Sequence, residues 1–337
     1  EEAGLVPAEI REIQRQKDAY KSAVQALSDG YVEAGFNQLD RLGWIREVPD
    51  DERYKLMAND YVAALNENKT ALVVSPTHVE GEWISDEIRT RLKQTGRLGN
   101  GELRLLSLES ANLTEAERSD PVNFSEGDVI VFHQNAKGYR KGERIVVGAD
   151  PLPLSEAAKF QVYRPSILPI APGELIRITR NATSIDGEHR LNNGATFTVK
   201  EFDNKGNIVL GNGWKLPADF GFLKHGYVTT SHGSQGQTVQ KILIGESDRS
   251  FPAASVEQFY VSVSRAREQA TIYTSNKDAL LEAVSRSADR LTATEFVAGR
   301  DLRKRGTMLQ RVGQLAQESR PSRELQPQRG EGLTHER

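Results

Sequence analysis

The chain has 337 residues, of which 37% are hydrophobic and 27% charged, and its formal net charge is −3. Its length predicts about two domains, because a domain usually has about 100 to 200 residues. No segment approaches the run of about 18 apolar residues that a membrane helix needs, and the acidic, polar N-terminus carries no secretion signal. We therefore expect no membrane insertion, and the first residue looks like an internal cut.

The residue counts also limit the chemistry. The absence of Cys excludes disulfides, thiol nucleophiles and Cys-type zinc sites, and the six scattered His residues predict no metal site. A reducing cytoplasm fits this composition. Because 44 Lys and Arg face 47 Asp and Glu, nucleic-acid binding would need a local basic track rather than bulk charge.

The first third of the chain has a helical pattern and then a strand. Between residues 7 and 34, apolar residues recur at spacings of three and four, which predicts helices that Gly30 interrupts or ends. Residues 71–76 form a short β-branched run ended by Ser-Pro, and residues 80–92 place apolar side chains on one helical face. This strand, turn and helix form the repeating unit of a parallel α/β sheet.

The middle of the chain, from about residue 102 to residue 222, has the pattern of strands and turns. Four segments of it resemble one another in pairs, 127–132 with 173–178 and 142–147 with 194–199. This repetition indicates a duplicated small β unit. The Asp-Asn-Lys-Gly sequence at residues 203–206 predicts a hairpin turn.

The α/β pattern returns after residue 222. Short apolar runs at 227–230, 242–245 and 270–273 predict buried strands. The β segment therefore interrupts a single α/β domain. The last residues, 298–337, lack aromatic side chains and mix Arg, Gln and Glu with Pro and Gly, which predicts a disordered tail apart from a helix near 308–317.

Two stretches have residue types suited to phosphate. Residues 227–238 run from an apolar strand into a cluster of hydroxyl, His, Gln and Gly residues, where backbone N–H groups can approach an anion. An ordinary Gly/Ser turn is the alternative. Arg265 and Arg267 follow an apolar run, and guanidinium groups suit the charge of a transferring phosphoryl group. Two surface arginines near a helix end are the alternative there, and Arg15, taken alone, is usually solvated.

Taken in order, these segments resemble a family. Residues 229–236, with the pattern T-x-x-H-G-S-Q-G, resemble motif V of superfamily 1 helicases of the RecD-like branch, and residues 261–267 resemble motif VI. Residues 13–16 are similar to the arginine-containing motif that follows motif III, and 73–78 to the strand whose Thr meets the DNA backbone. The β insert is similar to the helicase part of conjugative relaxase-helicases of the MobF type. The resemblance covers roughly residues 8 to 295.

The chain departs from this family in three respects. No G-x-x-x-x-G-K-[ST] sequence supplies a P-loop, and neither Asp-Glu pair, at residues 51–52 and 86–87, follows an apolar strand as a Walker B motif would. The His cluster and N-terminal tyrosines of a relaxase nicking domain are also missing. We therefore expect the chain to lack the first RecA-like domain and to supply the second.

The resemblance implies a fold and domain limits. It implies an α/β fold with a RecA-like parallel sheet, a P-loop NTPase fold without the P-loop, interrupted by a small all-β SH3-like insert domain. Residues 1–101 and 223–297 would form the motor domain and residues 102–222 the insert. The parent protein would be a bacterial cytoplasmic one, with a first RecA-like domain and a relaxase domain as partners.

The resemblance also implies roles for individual residues. Arg15 and Arg265 would contact the γ-phosphate of ATP as arginine fingers, and ATP and Mg²⁺ would be bound mainly by the missing first domain. Gln235 and Gly236 would couple the nucleotide site to DNA, and Arg267 would contact the nucleotide or form a structural ion pair. Four residues would hold single-stranded DNA, namely Thr77, Thr230, His232 and Ser234.

Two other functions stay open. The β insert, with Arg177, Arg180, His189 and Arg190 near its turns, could be a non-catalytic docking surface recognised by the conjugative transfer machinery. The chain could also be an inactive helicase remnant. A reading frame that continues upstream of Glu1 into a P-loop would separate a piece of an active enzyme from a remnant.

Overall fold

The computed structural model describes residues 15–148 and 151–286, so the predicted tail and the predicted helix near 308–317 lie outside the described residues. The α-helices are, in chain order, α1 (Asp18–Ser28), α2 (Val32–Arg41), α3 (Asp50–Asn66), α4 (His78–Gln94), α5 (Glu115–Arg118), α6 (Val256–Val263) and α7 (Lys277–Val284). The β-strands are β1 (Ile45–Glu47), β2 (Ala71–Val74), β3 (Leu103–Ser110), β4 (Val129–Phe132), β5 (Arg144–Val146), β6 (Phe160–Ile170), β7 (Leu175–Ile178), β8 (Ala182–Thr183), β9 (Arg190–Leu191), β10 (Thr196–Phe202), β11 (Ile208–Leu210), β12 (Lys215–Leu216), β13 (Leu223–His225), β14 (Val228–Thr229), β15 (Val239–Glu246) and β16 (Ala266–Thr274).

Five strands form a parallel sheet in the order β1-β16-β15-β2-β14. The four apolar runs predicted as strands of the α/β part are confirmed as β2, β14, β15 and β16. In register, Ile244 of β15 lies between Val74 of β2 and Ile272 of β16. All three side chains are buried, as expected for a sheet covered on both faces.

Helices cover both faces of this sheet. One face carries α1, α2, α6 and α7, which pack on Leu72, Val74 and Ile244. The other face carries α3 and α4, which pack on Val73 and Leu243. Neighbouring residues of one strand thus point into different cores, as the two-residue period of a strand requires. No helix in the described ranges has both the length and the apolar character needed to span a bilayer.

The helices begin and end where local sequence dictates. Gly30 separates α1 from α2 and has a φ of +84°, a conformation that glycine adopts without steric cost, so the predicted interruption is confirmed. Helix α4 begins after Thr77, whose side-chain oxygen accepts from the Glu80 N–H at 3.4 Å. This contact satisfies one of the free N–H groups of the first turn.

The strands between residues 103 and 225 pair antiparallel. They form a four-stranded sheet in the order β3-β6-β4-β5, a five-stranded sheet in the order β12-β11-β10-β7-β13, and the pair β8-β9. The repeated segments form equivalent pairs, β4 with β5 and β7 with β10. The predicted hairpin turn lies between β10 and β11, where an Asp203 carboxylate oxygen accepts from the Lys205 and Asn207 N–H groups.

Two details differ from the sequence expectation. Strand β13 pairs with β7, although it lies beyond the expected limit at residue 222. The region is also not purely β, because Thr114 and Glu117 form a capping box that starts the single helical turn α5. The division into a motor domain and an insert, with its limits, stays a prediction.

A buried carboxylate joins the antiparallel strands to the parallel sheet. Glu174, just before β7, is fully buried and accepts from Arg89 Nε of α4 at 2.9 Å and from the Tyr227 hydroxyl at 2.6 Å. Burial, together with this carboxylate, raises the pKa of Tyr227. Arg89 also pairs with Glu102, at 2.5 Å. The joint is therefore polar but internally satisfied, which favours one relative orientation of the two sheets.

Candidate functional site

The residues from the two arginine-containing motifs meet at the end of α6. Arg15 Nη1 donates to the carbonyl oxygen of Ser264 at 2.6 Å, and Gln16 Nε2 donates to the carbonyls of Ser264 at 2.9 Å and Ala266 at 2.5 Å. The Tyr20 hydroxyl donates to the Val263 carbonyl at 2.5 Å. These donors satisfy carbonyl groups that have no partner within the helix.

Arg265 lies beside Arg15 in the same place. Its Nε donates to the Val261 carbonyl at 2.8 Å and its Nη2 to the Ser264 hydroxyl at 2.7 Å. Burial, and then the positive charge of Arg15, lower the pKa of Arg265. No described carboxylate pairs with either guanidinium. Because each group has five N–H donors and gives at most two of them to described residues, donors remain for an anionic ligand.

The loop that follows β14 is held by its own hydrogen bonds. Ser234 is fully buried, and its hydroxyl donates to the Ser231 carbonyl at 2.6 Å. The Thr230 hydroxyl accepts from the Gly233 N–H at 3.2 Å and keeps its own hydrogen for another partner. A Cβ at Gly233 would lie 2.4 Å from Thr229 Oγ1, so this close turn requires glycine.

A hydroxyl pair joins this loop to α6. Ser262 Oγ lies 2.9 Å from Ser231 Oγ and 2.9 Å from the Gln258 carbonyl oxygen. Since the carbonyl can only accept, Ser262 donates to it and Ser231 donates to Ser262. The two segments that resemble motifs V and VI are therefore in direct contact.

A groove of about 970 Å³ lies between the parallel sheet and the antiparallel strands. Thr77, Thr230 and Gln235 line it, so three of the predicted ligand-binding residues are brought together. The Thr77 hydroxyl donates to Glu80 Oε2 at 3.2 Å, so its hydrogen is already used. The donors that a ligand can reach at this position are therefore the free N–H groups at the start of α4. His78, at the first position of α4, is exposed and also lines the groove.

The groove carries charges of both signs. Arg177 and Lys224 contribute positive charge, and Glu82, Asp86 and Glu109 contribute negative charge. Arg177 Nη2 donates to the Val228 carbonyl at 2.8 Å, while its buried Nε has no hydrogen-bond partner. Burial lowers the pKa of this guanidinium. The mixture of charges fits a ligand bound through a few aligned donors better than one bound by bulk attraction.

The remaining predicted residues are more exposed. Gly236, with a φ of +80°, and His232 lie on the outer side of the loop, and no described residue hydrogen-bonds the His232 ring. Arg267 is exposed on β16, and within the described ranges no acid pairs with it. The ion pair considered for Arg267 is thus not formed among the described residues.

The four residues of the docking alternative have different surroundings. Arg177 lines the groove, Arg180 lies over the Phe222 ring at 4.7 Å, and His189 stacks on Trp214 at 4.5 Å. Arg190 is exposed on β9. His189 also shares an exposed turn with Asp186 and Glu188, whose ligand atoms lie within 4.8 Å of one another, although nothing further points to a metal there.

A buried polar cluster lies at the carboxyl end of β15. Glu80 accepts from Arg53 Nη2 at 3.4 Å, from the Tyr54 hydroxyl at 3.1 Å and from the Ser247 hydroxyl at 2.5 Å. Glu246 nearby is buried, and desolvation raises its pKa to about 8, with a smaller contribution from the charge of Glu80. Sequence reasoning missed this cluster, although the Thr-x-x-Glu spacing of Thr77 and Glu80 is a capping signal.

The fold places the candidate site residues of this α/β protein at the two ends of the parallel sheet. The paired arginines precede β16, at the amino end of the parallel strands, while Thr77 and Thr230 follow β2 and β14 at the carboxyl end. No protein-family model matches the chain.

The chain is similar to the multifunctional conjugation protein TraI of Escherichia coli. It is 23% identical to one TraI over 253 residues, which cover 70% of this chain, and 23% identical to TraI of strain K12 over 249 residues, which cover 69%. The chain is thus distantly homologous to TraI, and the match spans 14% of the length of each relative.

Solved structures of Pif1 helicases also overlap with the chain. The Pif1 helicase from Candida albicans has a TM-score of 0.40 at 14% identity, covering 90% of this chain and 60% of that one. Bacteroides Pif1 bound to single-stranded DNA has a TM-score of 0.40 at 15% identity, covering 80% of this chain and 52% of that one.

Proposed function

We propose that the chain is the second, RecA-like motor domain of an ATP-dependent DNA helicase, interrupted by an SH3-like β insert and related to the helicase region of conjugative relaxases. The observation that carries this proposal is the meeting of Arg15 and Arg265 at Ser264, from opposite ends of the described chain. Two half-buried cations that have no carboxylate partner among the described residues are costly unless an anion shares their site.

The anion would be the γ-phosphate of ATP. Guanidinium groups stabilise the charge that develops on a transferring phosphoryl group, and such a contribution is worth about 10³ to 10⁵ in rate. The sequence has no P-loop, so a first motor domain would have to hold the β- and γ-phosphates and Mg²⁺. Arg15 and Arg265 would complete the site across the cleft between the domains, with Arg267 at its edge.

Single-stranded DNA would lie in the groove at the carboxyl end of the parallel sheet. The Thr230 hydroxyl, the His232 ring and the N–H groups next to Thr77 would donate to phosphates. Ser234 is buried and donates within the loop, so its contribution would be to hold the loop rather than to touch the strand.

Gln235 and Gly236 lie where the two ends of the domain are connected. They follow the turn in which Ser231 forms a hydrogen bond with Ser262 of α6. Just beyond them, the Val239 N–H donates to the Arg265 carbonyl at 3.2 Å. A movement of the loop that binds single-stranded DNA would therefore be transmitted to Arg265 through these contacts.

The distant homology to TraI supports a conjugation setting for the parent protein. A relaxase domain, a first motor domain and the transfer machinery would be its partners, in a bacterial cytoplasm. The docking function of the β insert is compatible with this setting, although its four basic residues have four different surroundings.

ATP hydrolysis tests the proposal. The chain alone should not turn over ATP, with or without single-stranded DNA. In the parent protein, Arg265→Ala and Arg15→Ala should each lower DNA-stimulated hydrolysis at least about 10³-fold and leave DNA binding within a few-fold. Arg267→Ala is the matched control, because this exposed arginine lies two positions further on, and it should lose far less. Equal losses for all three variants would contradict the assignment.

A further inference from the structure

An exposed aromatic surface lies beside the groove in which we place single-stranded DNA, at the carboxyl end of the parallel sheet. Trp83 and Val79 are one helical turn apart on α4, and they are 39% and 55% exposed. The guanidinium carbon of Arg249 lies 5.3 Å from the centre of the Trp83 ring, and the Tyr54 ring packs beside it at 5.9 Å. We call these four residues the Trp83 platform.

The Trp83 platform lies on the face of α4 next to the face that lines the groove, because residues adjacent in a helix are turned about 100° from each other. His78 and Glu82, which line the groove, are the chain neighbours of Val79 and Trp83 on α4. In the sheet, β14, β2 and β15 are adjacent, so their carboxyl ends lie side by side at intervals of about 4.8 Å. Thr230 follows β14, Thr77 follows β2, and Arg249 follows β15.

The charge of the Trp83 platform also points to one kind of ligand. Arg249 is exposed, and no described acid pairs with it. Aromatic rings bind bases by stacking whatever the sequence, and an adjacent arginine can hold the phosphate. Glu82 and Asp86, on the neighbouring face of α4, would repel a phosphate. The phosphate backbone of a bound DNA strand would therefore lie towards Arg249.

We infer that the Trp83 platform is a base-stacking site for single-stranded DNA, with one base on Trp83 and its phosphate on Arg249. The inference rests on the proposed strand-binding function and extends it to a residue outside every motif of the sequence. A base contact adds affinity that does not depend on salt, whereas the groove contacts go to phosphates.

The test compares two fluorescent probes of equal length, oligo-dT and an oligonucleotide of abasic residues. Wild-type chain should bind oligo-dT more tightly than the abasic strand. Trp83→Ala should weaken oligo-dT binding about 5- to 100-fold and leave abasic binding within about 2-fold. Trp83→Phe keeps an aromatic ring and should lose less than about 5-fold. Arg249→Ala should weaken both probes alike.

Tryptophan fluorescence gives a second readout. The chain has three Trp residues, and oligo-dT should quench emission in wild type and in the control Trp214→Phe but not in Trp83→Phe. Circular dichroism checks that each variant is folded. Unchanged oligo-dT affinity in Trp83→Ala, or equal losses for both probes, would overturn the inference while leaving the groove intact. Absence of any strand binding by wild type would instead contradict the proposed function.

Discussion

Ser231 and Ser262 join the loop after β14 to helix α6 through a single hydrogen bond of 2.9 Å between their hydroxyls. Both side chains are buried, so water does not replace the contact. Ser231 is next to Thr230 in the groove, and Ser262 lies in the last turn of the helix that precedes Arg265. The pair therefore connects the proposed DNA site directly, through two side chains, to the helix that leads to the proposed nucleotide site.

Removing this bond should uncouple the two sites. In the parent protein, Ser262→Ala should reduce the stimulation of ATP hydrolysis by single-stranded DNA about 5- to 10-fold, because one buried hydrogen bond is worth about 1 to 1.5 kcal/mol. Basal hydrolysis and DNA affinity should change less than about 3-fold. Ser285→Ala, which removes an exposed hydroxyl at the end of α7, should leave the stimulation unchanged. Equal stimulation in both variants would show that coupling follows another route.

The chain alone should bind single-stranded DNA weakly and through few contacts. The net charge of −3 predicts a small electrostatic contribution, with a Kd near the nonspecific range of about 10⁻⁴ to 10⁻⁶ M. Thr230→Val keeps the shape of the side chain but removes its free donor, and should weaken binding about 3- to 10-fold. Thr238→Val, at an exposed position of the same loop, is the control. Fluorescence titration at two salt concentrations measures both; an unaffected Thr230→Val would place the strand elsewhere.

Ser234→Ala and His232→Ala should have different effects, although the sequence resemblance implies DNA contacts for both residues. His232→Ala should weaken strand binding a few-fold without changing stability, because the ring is exposed and free of described partners. Ser234→Ala should lower the free energy of unfolding by about 1 to 3 kcal/mol, because it removes a buried loop contact. Urea denaturation and fluorescence titration of each variant separate these effects, and a stable Ser234→Ala with weak binding would restore the direct contact.

The Glu174 joint should dominate the stability of the chain. Glu174→Ala leaves Arg89 buried without its inner partner and should cost about 3 to 5 kcal/mol of unfolding free energy. Glu102→Ala removes the outer, partly exposed partner of the same arginine and should cost about 1 kcal/mol or less. The urea midpoints of the two variants give the comparison. Similar small losses would mean that the sheets are held together by their apolar contacts alone.

Glu246 predicts that stability falls as the pH rises from about 4.5 to 8. Its pKa is about 8 in the folded chain, above its ordinary value, so the folded chain binds more protons than the unfolded chain between about pH 4.5 and 8. Stability therefore falls as pH rises through this interval, by at most about 1.4 kcal/mol per pH unit. Glu246→Gln should remove much of this dependence and be the more stable form at pH 8.5. Urea midpoints at pH 5.5, 7 and 8.5 would show parallel curves for the two proteins if the carboxyl were not involved.

Much of the fold follows from local sequence. The β-branched run at residues 71–76 and the apolar runs of β15 and β16 predict buried strands, and Gly30 predicts the break between α1 and α2. Strand β1 was missed because three residues, Ile-Arg-Glu, carry too little pattern to predict a strand.

The site was less accessible to sequence reasoning. Arg15, Thr230 and Gln235 came from a family resemblance, and the structure brings Arg15 to Arg265 and the other two to one groove. The partner of Gln16 lies 248 residues away, so no local pattern could reveal it. Burial of Ser234 depends on how the loop packs on α6, and the exposure of Trp83 depends on what surrounds α4; neither is encoded in nearby residues.

The short connection between β14 and β15 limits how far its ends can move apart. Residues 230–238 cross from one parallel strand to another with β2 between them, where a crossover normally takes about a dozen residues or more. Such a connection can lengthen little, so a displacement of Thr230 also displaces Val239, whose N–H is bonded to the Arg265 carbonyl. Its length would thus matter for the proposed coupling: with a few added glycines, both ends should still bind their ligands but no longer move together.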